Sequence, residues 1–283
     1  MNDRTRGAFR RLKYRDVVRI HDDVIRLDPQ LQHSQVHPEA RRDMLHRFQA
    51  ILDAIEAHAP SPRTTGQLHG LEVGVGEGTL WLTLAEFCPH VQWVGVDIPR
   101  RHAAYQEAFD SLIHSRGLQL TELDLTRSPL PHPDRSFDVV TLSEVVEHLP
   151  PNALLPTLRE IFRVLRPGGL LVTTSPNLTS LMNRVLLLFG ASPFHLPIPE
   201  DVAGCATYPH IHLYTAGEFA ALCRHVGFEV VRVRHLTYLS GAFCQCGRPL
   251  RNAVLHAYRG LEGLLGSLWP RLRDGWLVAS VTP

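Results

Sequence analysis

Lysine is nearly missing from this chain: Lys13 is the only one, so almost all of the 29 Lys+Arg residues are arginine. They stand against 28 Asp+Glu, for a net charge of +1. That balance supplies no electrostatic track for nucleic acid or another polyelectrolyte. Cysteine is sparse too. Five, odd in number and scattered, make no disulfide framework. No stretch approaches the roughly 20 apolar residues of a membrane span. The longest apolar patch, 178–190, is broken by Asn183 and Arg184. The opening MNDRTRGAFRRLKYRD carries no signal-peptide core. The expectation is a cytoplasmic protein with no stable membrane insertion and no nucleic-acid partner.

What is present is an alternation. At 283 residues, 44% apolar and 20% charged, the chain suits one large α/β domain with additions. Helical periodicity runs through Val17, Ile20, Val24 and Ile25, then Met44, Phe48, Ile51, Leu52 and Ile55, and the APSP at 59–62 reads as a linker. Residues 1–62 are therefore a helical cap and 63–283 the main domain. Strands are expected at 67–73, 92–96, 118–123, 137–142, 170–174, 228–235 and 276–281. Helices are expected at 79–87, 103–114, 154–165 and 216–226. Strands alternating with helices imply a seven-stranded, mostly parallel, doubly wound sheet. A Thr215-x-x-Glu218 capping box opens the last of these helices. The Pro-, His- and aromatic-rich insert at 175–214 reads as a lid or acceptor region.

The strongest motif is LEVGVGEGT at 71–79, a strand breaking into Gly74, Gly76 and Gly78 before a helix, followed by VQWVGVDIP at 91–99 with Asp97 at the strand tip. Strand, glycine turn, helix, strand and acid bind a nucleoside at the carboxyl edge of a parallel sheet. A dinucleotide fingerprint wants Gly or Ala where this chain has Thr79. Glu72 ahead of the loop suits a cationic ligand better than a pyrophosphate. Gly74 and Gly76 let the backbone approach a ligand that a Cβ would meet.

These blocks, with LDLT at 123–126, FDVVTLSEVVEHLP at 137–150 and the RPGG turn at 166–169, resemble the class I S-adenosylmethionine-dependent methyltransferases, and EVVEHLP at 144–150, TTSPN at 173–177 and HIHLYTAGEF at 210–219 resemble the marks of one branch. Within them the chain is similar to the ubiquinone-biosynthesis O-methyltransferase-like branch. The resemblance implies a Rossmann-like fold and S-adenosylmethionine as cofactor. It implies that Glu72 holds the ammonium end, that Asp97, with Ile98 beside it, accepts the ribose hydroxyls, and that Asp124 and the Leu125 amide meet the adenine. Ser143 and Glu144 would border the methionine chain. The implied acceptor is a small molecule carrying a hydroxyl.

A protonated phenol-like acceptor needs a general base. His148, placed one turn into a helix after the fourth strand, is the first candidate and His212 the second. Glu144, Glu147 and His148, at i, i+3 and i+4, share a helix face that would hold a divalent ion, Mg²⁺ by its oxygen-rich set. His195, Tyr208, His210 and Tyr214 are further insert candidates with packing as their default. Cys205, Cys244 and Cys246 lack zinc spacing. The apolar stretches 178–188 and 250–268 leave an acceptor pocket, a homodimer face and a membrane-surface contact open beside ordinary packing. Rival functions are a nicotinamide oxidoreductase, a nucleic-acid or protein methyltransferase, and a cofactor-binding protein without turnover. The Asn/Asp-Pro-Pro-aromatic run of adenine modifiers is replaced here by Leu142, Ser143, Glu144 and Val145.

Overall fold

The computed structural model describes residues 10–27, 38–60, 67–99, 103–194, 210–237 and 249–283. Seven strands form one sheet: β1 (Leu68–Val73), β2 (Val91–Asp97), β3 (Leu120–Glu122), β4 (Phe137–Ser143), β5 (Leu165–Pro176), β6 (Glu229–Leu236) and β7 (Gly275–Val281), in the order β3-β2-β1-β4-β5-β7-β6. All described pairings are parallel except those of β7, which runs antiparallel to β5 and to β6. The expected seven-stranded, mostly parallel sheet is present.

Its two faces are written in the strands' period of two. Val139, Leu170 and Leu277 point into one buried cluster and Val140, Leu171 and Trp276 into the other. Helices α1 (Tyr14–Ile25), α2 (Pro38–His58), α3 (Thr79–Phe87) and α4 (Ala103–Ser115) cover the first face through Val17, Phe48, Leu82 and Phe109. Helices α5 (Pro151–Val164) and α7 (Ala216–Val226) cover the second through Leu158 and Phe219. In α2 the i, i+3, i+4, i+7 set Phe48, Ile51, Leu52 and Ile55 is buried, so the N-terminal helices help complete the core. The capping box of Thr215 and Glu218 is formed, and Gly227 ends α7 in the left-handed region.

Three local expectations change. The strand expected at 118–123 is paired only over Leu120–Glu122. RPGG is an irregular start of β5, with the Gly168 amide donating to the Thr282 carbonyl, rather than a turn before the strand. The apolar stretch at 178–188 yields a short helix, α6 (Leu181–Leu188), with no buried residue; Leu188 and Phe189 are 80% and 81% exposed. The last helix, α8 (Pro249–Leu268), precedes β7. Residues His195, Cys205, Tyr208, Cys244 and Cys246 lie outside the described residues. No described helix is long and apolar enough to cross a membrane.

Candidate active site at the carboxyl edge of the sheet

Chain order reverses at β1, which lies between β2 and β4, so the loops after β1 and β4 leave the same edge side by side. The β1 loop needs its glycines for different reasons. Gly74, Gly76 and Gly78 all have positive φ, at 79°, 57° and 96°. A Cβ on Gly74 would sit 2.3 Å from Val145 Cγ2, and one on Gly78 would sit 2.5 Å from the Phe109 ring. A Cβ on Gly76 would meet nothing within 4 Å. Packing demands the outer two; the middle one, exposed, faces open space.

Asp97 ends β2 and closes on this loop. Its carboxylate accepts from the Gly76 amide at 2.6 Å and from the Ile98 amide at 2.7 Å. Glu72 is buried in β1 with Thr141 of β4 donating to it, a contact made by the Glu72–Thr141 register. Burial, opposed by the Thr141 hydroxyl and the charge of Arg47, raises the Glu72 carboxyl to about 8. Asp124, past β3, accepts from the amide and the hydroxyl of Thr126 and pairs with Arg127, which lowers it. Leu125 packs half-buried against the core.

The Glu72 shift has a sign that can be measured. An ordinary carboxyl ionises near 4.5, whereas this one stays protonated in the fold up to about 8. Between those values the folded chain binds the extra proton, so stability declines as pH rises. The melting temperature of the cofactor-free protein should fall from about pH 6 to about pH 8, and fall less in Glu72→Gln. Identical slopes in the two proteins would exclude Glu72 as the source.

The β4 loop carries the second half of the site. Ser143 is buried and shares a hydrogen bond with Thr174 of β5 at 2.8 Å. Thr174 also donates to Glu144 at 2.9 Å, and Arg47 of α2 pairs with Glu144 at 3.2 Å. Glu144 itself has φ +56°, a strained value for a non-glycine residue. The expected helix face over Glu144, Glu147 and His148 does not form. Residues Val146–His148 make a single 3-10 turn, Pro150 follows, and α5 begins at Pro151.

A different trio gathers instead. Glu147, His148 and His210 bring one ligand atom each within 4.8 Å of one another. Glu147 is buried with Ser175 donating to one carboxylate oxygen at 3.1 Å, while its other oxygen lacks a hydrogen-bond partner. Burial and the charge of Glu144 push this carboxyl well up. The insert is tied on through its backbone, the Ile211 and His212 amides donating to the Glu147 carbonyl. His210 packs against His148 with ring centroids 5.0 Å apart, whereas the His212 ring tilts onto Tyr214 at 4.4 Å. The trio has one carboxylate and two imidazoles, a set that suits a transition metal better than Mg²⁺.

Thr141, Thr174 and Ser175 lie inside the FDVVTLSEVVEHLP and TTSPN blocks, but the blocks alone do not single them out as site residues, and Arg47 lies outside every motif. Arg47 sits in an ordinary amphipathic helix more than twenty residues before the glycine loop.

A family description, "Methyltransferase domain", matches residues 40–233. The chain is 36% identical over 107 residues to a probable S-adenosylmethionine-dependent methyltransferase of Mycolicibacterium smegmatis, covering 38% of this chain and 37% of that one. It is 26% identical over 168 residues to a ubiquinone biosynthesis O-methyltransferase of Albidiferax ferrireducens, covering 59% and 62%. A SAM-dependent methyltransferase structure from Methanosarcina mazei superposes with a TM-score of 0.52 at 17% identity, over 81% of this chain and 96% of that one. The match thus spans less than two-fifths of the Mycolicibacterium relative and under two-thirds of the Albidiferax one.

Proposed function

Because this chain belongs to the methyltransferase-domain family, we propose that it binds S-adenosylmethionine and transfers its methyl group to a hydroxyl of a small-molecule acceptor. The observation that carries the reading is a three-glycine loop flanked by two acids, Glu72 buried at its root and Asp97 held on its amide. The Asp97 carboxylate suits a ribose diol and disfavours a pyrophosphate, and Glu72, neutral in the cofactor-free protein, suits a cationic amino acid end that would favour its ionised form. The sulfonium supplies a methyl carbon already activated for displacement, so the protein's work is alignment and proton removal.

Asp97 accepts the ribose hydroxyls, Asp124 and Leu125 border the adenine, and Ser143 and Glu144 border the methionine chain. Arg47 is a cation beside Glu72 and Glu144 at this edge, and on binding it exchanges Glu144 for the cofactor's carboxylate. His148 takes the acceptor's proton. Were a divalent ion bound, Glu147, His148 and His210 would hold it, and it would supply Lewis-acid chemistry at the acceptor oxygen in place of the His148 base. The hydroxyl acceptor rests on the likeness to the ubiquinone-biosynthesis relative and on the histidines at the mouth. The near-neutral charge disfavours a nucleic-acid substrate.

The direct experiment is calorimetry with S-adenosylhomocysteine. Asp97→Ala should weaken its binding about ten-fold or more; unchanged affinity would refute the ribose assignment. Arg47→Gln should weaken S-adenosylhomocysteine about ten-fold and leave methylthioadenosine, which lacks the carboxylate, nearly unaffected. Equal losses for both ligands would remove Arg47 from the carboxylate.

A further inference from the structure

The glycine loop is gripped from two sides, and only the Asp97 side is explained by ligand binding. On the other side stands His21 of α1, wholly buried. Arg41 of α2, also buried, donates its Nε to His21 Nδ1 at 3.2 Å and a second nitrogen to Asp22. An Nδ1 that accepts leaves the imidazole proton on Nε2. That nitrogen faces Glu77 Oε1 at 3.8 Å, an electrostatic contact rather than a hydrogen bond. Glu77 lies between Gly76 and Gly78 and accepts from Thr79 Oγ1 at 3.0 Å, at the first residue of α3. Asp22, Arg41, His21, Glu77 and Thr79 thus form one polar chain from the two N-terminal helices to the root of the loop.

Its middle members, His21 and Arg41, are buried while Asp22 and Glu77 reach solvent, and buried polar groups are costly unless their partners satisfy them. Apolar residues would serve if α1 had only to cover the sheet. Around it α1 is fastened to α3 independently, with Arg19 on both oxygens of Glu86 at 2.6 and 2.7 Å and Val17, Ile20 and Val24 in the core. Attachment of α1 therefore does not need His21, whereas the loop has Glu77 on one flank and Asp97 on the other. Gly76, with φ +57°, is tied through its amide to Asp97 on one flank, and Glu77 is the side chain that reaches from the loop to the other flank.

We propose that His21, fixed by Arg41, is a positioning residue for the cofactor loop: through Glu77 it sets the backbone of Gly76–Gly78, making the N-terminal helices part of the cofactor site. The assignment rests on the cofactor reading above. It separates His21 from residues that select the acceptor.

The test compares His21→Ala, His21→Gln and Glu77→Gln with the unaltered full chain. His21→Ala should raise the dissociation constant for S-adenosylhomocysteine about 3- to 30-fold and speed amide exchange at 74–80 in the cofactor-free protein. The acceptor KM should stay put. His21→Gln, which keeps a donor near the Nε2 position, should restore most of the affinity. The His21→Ala/Glu77→Gln double variant should be no weaker than the poorer single. Unchanged exchange and affinity in His21→Ala overturn the proposal, as do a fall in melting temperature alone, full additivity, or no rescue by glutamine. If the unaltered chain fails to bind S-adenosylhomocysteine while His21→Ala still loosens the loop, the cofactor reading falls and the clamp stands.

Discussion

Replacing His148 by alanine is expected to slow methyl transfer about 10²- to 10⁴-fold while cofactor affinity stays within about two-fold. The expectation follows from place and partners. His148 ends the 3-10 turn after β4, half-buried, with its Nε2 4.0 Å from a Glu147 oxygen and its ring against His210. A hydroxyl acceptor arrives protonated, and its oxygen becomes a competent nucleophile only as the proton departs. The residues expected to touch the cofactor lie elsewhere: Asp97 closes on the glycine loop, and Glu72 lies at its root. Loss of the imidazole therefore falls on turnover. Rates equal to those of the unaltered enzyme, with acceptor saturating, would eliminate His148 as the base.

Gly78→Ala should be strongly destabilising. Its φ of 96° costs a non-glycine residue about 1–2 kcal/mol. The added carbon would also lie 2.5 and 2.7 Å from two carbons of the Phe109 ring, which is itself fully buried. Forcing such a contact in a packed core costs about 1–3 kcal/mol more. For a chain of this size each kcal/mol lowers the melting temperature by roughly 2–4 °C, so a drop of roughly 5–15 °C is expected in thermal denaturation. Gly76→Ala is the internal control. Its φ is positive but its Cβ meets nothing, so stability should fall by only about 1 kcal/mol while cofactor affinity suffers more. Equal melting temperatures for the two variants would contradict this division of labour.

The difference between those glycines shows where reading the chain stops. G-x-G-x-G after a strand marks all three alike, because the pattern reports only that φ must be free. That Val145 and Phe109 crowd the outer two follows from the approach of the β4 loop and α4. Asp97 was legible because its place at a strand tip follows from alternation alone. Asp124 was legible as a position, and it sits in the Thr126 turn that its own residue type favours. The spacing of Glu144, Glu147 and His148 misled for a local reason. Pro150 and Pro151 delay the helix, so the i, i+3, i+4 rule had no helix to act on. His210 took the place in the trio because the insert's backbone is anchored on the Glu147 carbonyl.

What the chain alone determined is the architecture and where the glycine loop and the strand-tip acid fall on it. Hydrophobic alternation, glycine placement and strand-tip acids are short-range properties, and each constrains the backbone within a few residues. What only the tertiary structure decided is which distant groups meet there. Arg47 reaches Glu144, Thr141 reaches Glu72, and His21 faces Glu77 because helices and strands far apart in the chain bury their apolar faces against one sheet. Burial fixes those polar neighbours only once the packing is complete, so no local pattern of residues could have announced them.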